Sequence, residues 1–459
     1  EIGVRLVGSE MCIRDRDIRH KVFFVGIGGI SMSGLALYLN KNGFDVSGSD
    51  ITENEQTKML KSHGIKVFLG HKKNHIQDAE LVVFNSAINE GNPELVHAKE
   101  LGLTIISRSE LLKFVSREHE HVIAISGTHG KTTTTAMVGE IFCLAGHKPT
   151  IHIGGVSKNL GTSFLVGEKQ YFITEACEYK DNFLTLSPEV GVVLNIDDDH
   201  LDYFKTTTNL RHSFEKFASK SEFCIVFEGF LPKNAQNSQN IYQIGERSKY
   251  CWAENVELEA DNKYTFDAIF CGKFVGRIHL GVYHKHNVTN AIFAVAVAKY
   301  YGVPNKIIVS ALENFAGVKR RFEEIGWKNG VQVVIDYAHH PKEISSTLVG
   351  AKKITKGKLF VVFQPHTYSR TKKLFEEFVP CFDLADKLYL FKTYPAREKY
   401  DKDFNARTLA KEISKHKKCL YFSSFEKMKK SIQKEAGEGD TLLVLGAGDI
   451  DHFAKYFLE

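Results

Sequence analysis

The densest group of residues able to do chemistry follows the β-branched run Val122–Ser126. Two glycines, Gly127 and Gly130, precede Lys131 and a run of four threonines that starts at Thr132. Glycine lets backbone N–H groups approach an anion, and the N-terminus of a following helix adds further donors. Lys131 would add a positive charge, and the Thr132 hydroxyl could bind a magnesium ion. The pattern predicts a loop that binds the phosphates of ATP or GTP, although two residues instead of four separate its glycines. The alternative is an ordinary strand-to-helix turn.

Two later strands are predicted to end in side chains suited to a metal ion. Glu175 follows the strand Tyr171–Thr174, and the run Asp197–Asp199 with His200 follows the next strand. Carboxyl ends of parallel strands meet at one edge of a sheet, so these groups should lie near the phosphate loop. Magnesium prefers oxygen, which favours Glu175 as the ligand, whereas His200 would be an unusual nitrogen ligand. The alternative for the aspartates and His200 is capping of the predicted helix at about 204–217.

A polar pair precedes a predicted helix of small apolar residues at 292–300. The amide of Asn290 could serve the edge of an adenine ring, and the ring of His286 could stack on it. The alternative is an ordinary helix N-terminus.

The beginning of the chain predicts a βαβ unit. The strand Lys21–Val25 leads into the glycine turn Gly26–Ser31, a helix follows, and the next strand ends at Asp50. This resembles a dinucleotide-binding fingerprint in which Ser31 replaces the third glycine. A tight turn in any α/β sheet is the alternative, and a nicotinamide-dependent oxidoreductase would leave the phosphate loop unexplained.

The last third of the chain predicts three strands that end in loops rich in His, Arg, Asp and Gly. Their ranges are Val331–Ile335, Leu359–Phe363 and Asp440–Leu445. This is the pattern of a doubly wound sheet with its site along one edge.

The chain of 459 residues is too long for one core and favours three α/β domains. We predict a Rossmann-like N-terminal domain at 17–117, a central domain with a P-loop ATPase-like parallel sheet at 118–318, and a Rossmann-like doubly wound C-terminal domain at 319–459. Residues 1–16 lack a signal-peptide core and are expected to be a non-native leader.

Composition argues against several classes of partner. The net charge is only +5, and no dense Lys/Arg stripe with aromatic residues is present, so nucleic acid is not favoured. No run of eighteen apolar residues occurs, so membrane insertion is not expected. The eight cysteines contain no C-x-x-C pair, which favours reduced thiols in the cytoplasm.

Together, six motifs in one order make the chain similar to the Mur ligases of peptidoglycan synthesis, from about His20 to the end. They are Gly26-Ile-Gly-Gly-Ile30, Gly127-Thr-His-Gly-Lys-Thr-Thr-Thr134, Asn195-Ile-Asp-Asp-Asp-His-Leu-Asp202, His286-Asn-Val-Thr-Asn-Ala291, Gly317-Val-Lys-Arg-Arg-Phe322 and Asp336-Tyr-Ala-His-His-Pro341. The loops at 364–371 and 446–450 favour the member that adds L-alanine. At Thr367, however, many alanine-adding members carry a second arginine.

The resemblance implies an ATP-dependent reaction with Mg²⁺ as cofactor. ATP would phosphorylate the lactyl carboxylate of UDP-N-acetylmuramate, and the amine of L-alanine would attack the acyl phosphate. The enzyme would act in the cytoplasm as a monomer or homodimer. The alternatives are a recycling ligase that adds a tripeptide to the same nucleotide sugar, and a sensor of nucleotide or UDP-sugar without turnover.

The resemblance also implies roles for individual residues. Catalytic roles fall to Lys131, His200, His339 and Arg370. ATP binding falls to Gly127, Thr128, His129, Gly130, Lys131, Thr132, Thr133, His286, Asn290, Arg321 and Asp336. UDP-sugar binding falls to Gly28, Gly29, Ile30, Asp50, His71 and Ser86. Amino-acid binding falls to Tyr337, His339 and Arg370, and metal binding falls to Thr132, Glu175 and His200.

Overall fold

The computed structural model describes residues 21–198, 201–230, 240–245, 248, 250–396 and 398–459. It divides into two compact units. The first reaches Leu258 and includes Lys263–Ala316, and the second comprises Glu259–Asn262 and Gly317–Glu459. The described residues form two sheets in the first unit and one in the second.

The first sheet has five parallel strands in the order β3-β2-β1-β4-β5. The strands are β1 Lys21–Val25, β2 Asp45–Asp50, β3 Lys66–Leu69, β4 Leu81–Phe84 and β5 Thr104–Ser107. Its helices are α1 Ile30–Lys41, α2 Glu55–Ser62, α3 Pro93–Glu100 and α4 Arg108–Arg117. Side chains on both faces of β1 are buried, as its continuous apolar run predicts for a parallel strand covered on both sides. The predicted βαβ unit is therefore present.

The second sheet has ten strands in the order β15-β14-β13-β12-β11-β10-β6-β9-β7-β8. They are β6 His121–Ser126, β7 Thr150–His152, β8 Phe164–Leu165, β9 Tyr171–Glu175, β10 Val190–Val193, β11 Phe223–Phe227, β12 Ile241–Ile244, β13 Cys251–Leu258, β14 Lys263–Phe270 and β15 Lys273–Tyr283. In this order, the seven neighbouring strands that begin with β13 and end with β7 pair in parallel, which confirms the predicted parallel central sheet. The sequence predicted β6, β9 and β10 individually, but it did not predict β7, β11, β12 and β13 or the antiparallel strands β8, β14 and β15 at the ends of the sheet.

The remaining helices of the first unit are α5 Lys131–Leu144, α6 Leu201–Phe204, α7 Thr207–Ser219, α8 His286–Tyr300 and α9 Asn305–Glu313. The single helix predicted at about 204–217 is two helices, because Lys205 has a left-handed φ of 69° and the Thr206 side chain caps α7. No helix in the described ranges is long and apolar enough to cross a membrane.

The second unit has a six-stranded sheet in the order β16-β17-β21-β18-β19-β20. Its strands are β16 Glu323–Lys328, β17 Val331–Asp336, β18 Leu359–Phe363, β19 Lys387–Phe391, β20 Cys419–Phe422 and β21 Thr441–Leu445. Its helices are α10 Pro341–Ile354, α11 Tyr368–Lys373, α12 Phe375–Phe378, α13 Ala406–Ile413, α14 Phe425–Gln433 and α15 Asp451–Leu458. The sheet is parallel except for β16, and buried clusters on both faces match the predicted doubly wound pattern.

Candidate active site

The predicted phosphate loop lies between β6 and α5, and two glycines shape it. Gly127 and Gly130 have φ of 140° and 84°, which other residues rarely adopt. A Cβ at Gly130 would lie 2.5 Å from Oδ1 of Asn290, so the backbone also needs the space. Helix α5 begins at Lys131 without a side-chain cap, which leaves the N–H groups of its first turn suited to an anion.

Asn195, after β10, fixes the shape of the loop. Its Oδ1 accepts from the His129 N–H at 2.8 Å, and its Nδ2 donates to the His129 carbonyl at 3.0 Å. The Thr128 hydroxyl accepts from the Asp197 N–H at 3.0 Å. The run Asn195–Asp197, in which Asp197 was a candidate metal ligand, therefore supports the phosphate loop.

Lys131 is paired with Glu178 inside this site. Its Nζ lies 2.9 Å from Oε2 of Glu178 and also donates to the carbonyls of Gly127 and Thr128. Burial alone would lower the pKa of Lys131, but Glu178 and the neighbouring Cys177 and Glu175 raise it above its ordinary value. The lysine is therefore charged. The sequence did not indicate the pairing of Lys131 with Glu178, because this pairing depends on tertiary structure.

Thr132 and Glu175 form the part of the predicted metal site that the structure describes. The Thr132 hydroxyl donates to Oε2 of Glu175 at 2.9 Å, and the Gly154 N–H donates to the same oxygen at 2.8 Å. His200 lies outside the described residues. Within the described ranges, no cluster of three or more His, Cys, Asp or Glu side chains could hold a metal. A hydroxyl and one carboxylate fit Mg²⁺, which keeps most of its waters and binds phosphate oxygens.

The residues predicted to bind adenine lie at the start of α8. Asn290 is buried, its Nδ2 donates to Oδ1 of Asn287 at 2.8 Å, and its own oxygen faces Gly130. The ring of His286 stacks on His284 with centroids 5.4 Å apart. Asn290 is thus close to the phosphate loop, and Thr133 lies in the first turn of α5.

The predicted UDP-sugar turn connects β1 to α1, and Asp50 holds it. Oδ2 of Asp50 accepts from the Gly28 N–H at 2.9 Å, and Oδ1 accepts from the Thr52 N–H. Gly29 is the N-cap of α1, and Ile30 is partly exposed. Ser86 is exposed after β4. Asp50 therefore positions the turn directly.

His71 belongs to a buried polar cluster in the same sheet. Its Nδ1 lies 2.8 Å from Oε2 of Glu94, which also accepts from the Ser49 hydroxyl at 2.6 Å. The other oxygen of Glu94 lies 2.8 Å from Nδ1 of His75. Glu94 is completely buried and orients both imidazoles.

In the second unit, Asp336 holds the backbone next to the predicted residues Arg321 and Tyr337. Its carboxylate accepts from the N–H groups of Phe322 and Ala338, each at 2.7 Å. Burial raises the pKa of Asp336 above its ordinary value, although Arg321 and the two N–H donors oppose the increase. The Arg321 guanidinium lies over the Tyr337 ring at 5.4 Å, so these predicted residues are neighbours.

His366 connects the other two predicted residues of this unit. Arg370 donates to Nδ1 of His366 at 3.0 Å, and the rings of His366 and His339 lie 6.1 Å apart. Burial, and second the charge of Arg370, lower the pKa of His366 to about 4, so it is a neutral acceptor. Burial also lowers the pKa of His339, despite the opposing carboxylate of Glu343. His366 lies in the loop 364–371, but the sequence analysis predicted no role for it.

Three family models match the chain along its length. They are the Mur ligase family catalytic domain at residues 21–120, the Mur ligase middle domain at 125–298, and the Mur ligase glutamate ligase domain at 320–448. The chain belongs to the Mur ligase family.

Individual relatives define the similarity more narrowly. The chain is 44% identical to the UDP-N-acetylmuramate–L-alanine ligase of Caldicellulosiruptor bescii, covering 96% of this chain and 98% of that protein. It is 41% identical to the ligase of the same name from Clostridium perfringens, covering 97% and 99%. The crystal structure of the UDP-N-acetylmuramate–alanine ligase of Thermotoga maritima matches with a TM-score of 0.81 and 29% identity, over 95% and 98% of the two chains. A murein peptide ligase from Psychrobacter arcticus matches with a TM-score of 0.71 and 26% identity, over 96% and 98%.

Proposed function

We propose that this chain is an ATP-dependent, ADP-forming ligase that joins L-alanine to the lactyl carboxylate of UDP-N-acetylmuramate in peptidoglycan precursor synthesis. The observation that carries the proposal is the match to alanine-adding ligases, at 41–44% identity over nearly the whole chain. The loop geometry around Lys131 supports it, because a charged lysine beside uncapped N–H groups suits a triphosphate.

In the first step, an oxygen of the lactyl carboxylate attacks the γ-phosphorus of ATP. The bond to the bridging β,γ-oxygen breaks, and ADP leaves. We assign Lys131 to the charge on the transferred phosphoryl group, for which it would exchange Glu178 for phosphate oxygens. No protein nucleophile is required, so positioning and charge neutralisation supply the catalysis.

In the second step, the amine of L-alanine attacks the carbonyl carbon of the acyl phosphate. The C–O bond breaks, phosphate leaves with one former carboxylate oxygen, and the nitrogen loses a proton. We assign Arg370 to a carboxylate, which its planar guanidinium fits, and His339 to accepting the proton. The lowered pKa of His339 supports this assignment, because a neutral imidazole can accept.

We assign Mg²⁺ to Thr132 and Glu175, with His200 as the further predicted ligand. When bound, the cation would neutralise phosphate charge. The hydrogen bond between the Thr132 hydroxyl and the Glu175 carboxylate supports the assignment by keeping two hard oxygens together at the start of α5.

The predicted domains receive corresponding roles. We assign 17–117 to the UDP-sugar through Gly28, Gly29, Ile30, Asp50, His71 and Ser86. We assign 118–318 to ATP, and 319–459 to L-alanine through Tyr337, His339 and Arg370, with Arg321 and Asp336 assigned to ATP. A cytoplasmic location follows from the nucleotide substrates.

A coupled ADP-release assay with a panel of acceptors tests the proposal. ADP should form only when UDP-N-acetylmuramate and L-alanine are both present, and the amide should appear in equal amount. Preference for a tripeptide over L-alanine would identify the recycling ligase instead. Binding of both nucleotides without amide formation for any acceptor would identify a sensor.

A further inference from the structure

Ser31 occupies the position at which the dinucleotide fingerprint has a third glycine, and its side chain has a specific environment. It lies in the first turn of α1, directly after the turn assigned to the UDP-sugar. Its hydroxyl lies 2.8 Å from Nε2 of His152, and Arg108 donates to it at 3.2 Å. His152 is the last residue of β7, so this contact joins helix α1 to the second sheet.

Hydrogen-bond donors and acceptors fix the direction of this contact. The Thr174 hydroxyl donates to the Glu175 carbonyl at 3.1 Å, so it accepts from Nδ1 of His152 at 2.9 Å. Nε2 of the neutral ring must then accept the Ser31 proton. Four hydrogen bonds with one donor-to-acceptor direction therefore connect Arg108 to the backbone carbonyl of Glu175. They pass through Ser31, His152 and Thr174.

The surroundings of His152 keep its ring neutral, with the proton on Nδ1. It is 4% exposed, and burial, followed by the positive charge of Arg108, lowers its pKa to about 3. Its ring packs on Phe164 at 5.6 Å, and a Cβ at Gly34 of α1 would lie 2.3 Å from that phenylalanine. The helix and the second sheet thus meet closely around a neutral imidazole of one tautomer.

We propose that Ser31 and His152 are positioning residues that set the UDP-sugar turn relative to the Glu175 strand. This rests on the proposed function, because the turn would hold the carboxylate donor and Glu175 would lie beside the transferred phosphate. A small displacement between the reacting groups lowers the rate of transfer far more than it weakens binding of either substrate.

Two substitutions of His152 separate its two hydrogen bonds. Gln places an amide oxygen near the position of Nε2 and can accept from Ser31, whereas Asn reaches only Thr174. We expect Ser31→Ala and His152→Asn each to lower kcat on the order of 10- to 100-fold, with little change in the KM for UDP-N-acetylmuramate or ATP. His152→Gln should recover most of kcat, and the Ser31→Ala/His152→Asn double variant should be no slower than either single variant.

Ser33→Ala is the matched control, because Ser33 is buried in the same helix and its hydroxyl bonds to the Ile30 carbonyl within that helix. The control should leave kcat unchanged. Equal rates for the Asn and Gln variants, or additive losses in the double variant, would overturn the proposal.

A spectroscopic measurement is independent of turnover. In protein labelled with ¹⁵N-histidine, the His152 signals, identified by their loss in His152→Gln, should show a protonated Nδ1 and an unprotonated Nε2. Ser31→Ala should shift the Nε2 signal, and a protonated Nε2 in the wild type would overturn the proposal. An inactive wild-type enzyme would refute the proposed function, whereas an active enzyme with unchanged kcat after Ser31→Ala refutes only the positioning role.

Discussion

At the scale of single residues, the ion pair between Lys131 and Glu178 has the clearest consequence for activity. Lys131→Ala should lower kcat by at least about 10²-fold, because a preorganised positive charge at the transferred phosphoryl group is lost. Steady-state ADP release measures the effect. The control is Lys148→Ala, since Lys148 pairs with Glu168 on the surface of the same unit. Comparable turnover in the two variants would contradict the assigned role.

The two backbone hydrogen bonds to the Asp336 carboxylate should stabilise the second unit. Asp336→Asn replaces an oxygen that accepts a backbone N–H with an amide group that donates, leaving a buried donor unpaired. We expect a loss of about 1–3 kcal/mol in the unfolding free energy of the second unit. Trp252 and Trp327 are the two tryptophans of the chain, so Trp327 reports on this unit in a Trp252→Phe background. Asp403 is exposed, so Asp403→Asn should not change the unfolding free energy. An equal loss in both variants would show that the loss in Asp336→Asn does not come from the buried hydrogen bonds of its carboxylate.

At the scale of elements, α5 carries a buried acid that makes stability depend on pH. Glu140 accepts from the Ser157 hydroxyl at 2.6 Å, and burial raises its pKa to about 7. Because the folded state holds this proton more tightly than the unfolded chain, the unfolding free energy should fall as pH rises from about 4.5 to about 7. The expected decrease is on the order of 3 kcal/mol.

Denaturant unfolding across this pH range, followed by Trp252 fluorescence in a Trp327→Phe background, measures the decrease. Glu140→Gln keeps an acceptor for Ser157 but cannot ionise, so its pH dependence should be smaller by that amount. Identical slopes in the two proteins would refute the assignment to Glu140.

The close contact between Gly34 of α1 and Phe164 of β8 should also affect stability. Gly34→Ala forces a methyl group against Phe164, and overpacking should cost about 1–3 kcal/mol. Adding Phe164→Ala provides space, so the double variant should be more stable than the sum of the single changes predicts. Thermal unfolding of the four proteins measures the coupling, and strict additivity would show that the two residues do not constrain each other.

The buried strands that lead into the predicted site loops were predictable, for a physical reason. Runs such as Val122–Ile125 are continuously apolar because parallel strands are buried on both faces, and glycine turns mark where they end. β13 was missed because its residues Glu254–Leu258 are exposed and charged residues interrupt its apolar pattern. The break at Lys205 was missed because its left-handed backbone has no glycine to indicate it.

At the scale of the whole molecule, ordered motifs predicted the family, but contacts between distant segments were not predictable. Ser31 and His152 are 121 residues apart, and Lys131 and Glu178 are 47 apart. Neither pair has a local spacing that sequence reasoning could interpret. The sequence therefore indicated candidate residues for the site, whereas the structure shows which side chains contact them.

In the proposed reaction, ATP converts the sugar carboxylate into an acyl phosphate before the amide forms. UDP-N-acetylmuramate labelled with ¹⁸O in its lactyl carboxyl group tests this most directly, with mass analysis of the phosphate released during turnover with L-alanine. We expect each phosphate formed to carry one oxygen from the carboxyl group. Phosphate without label, released alongside the amide, would contradict it.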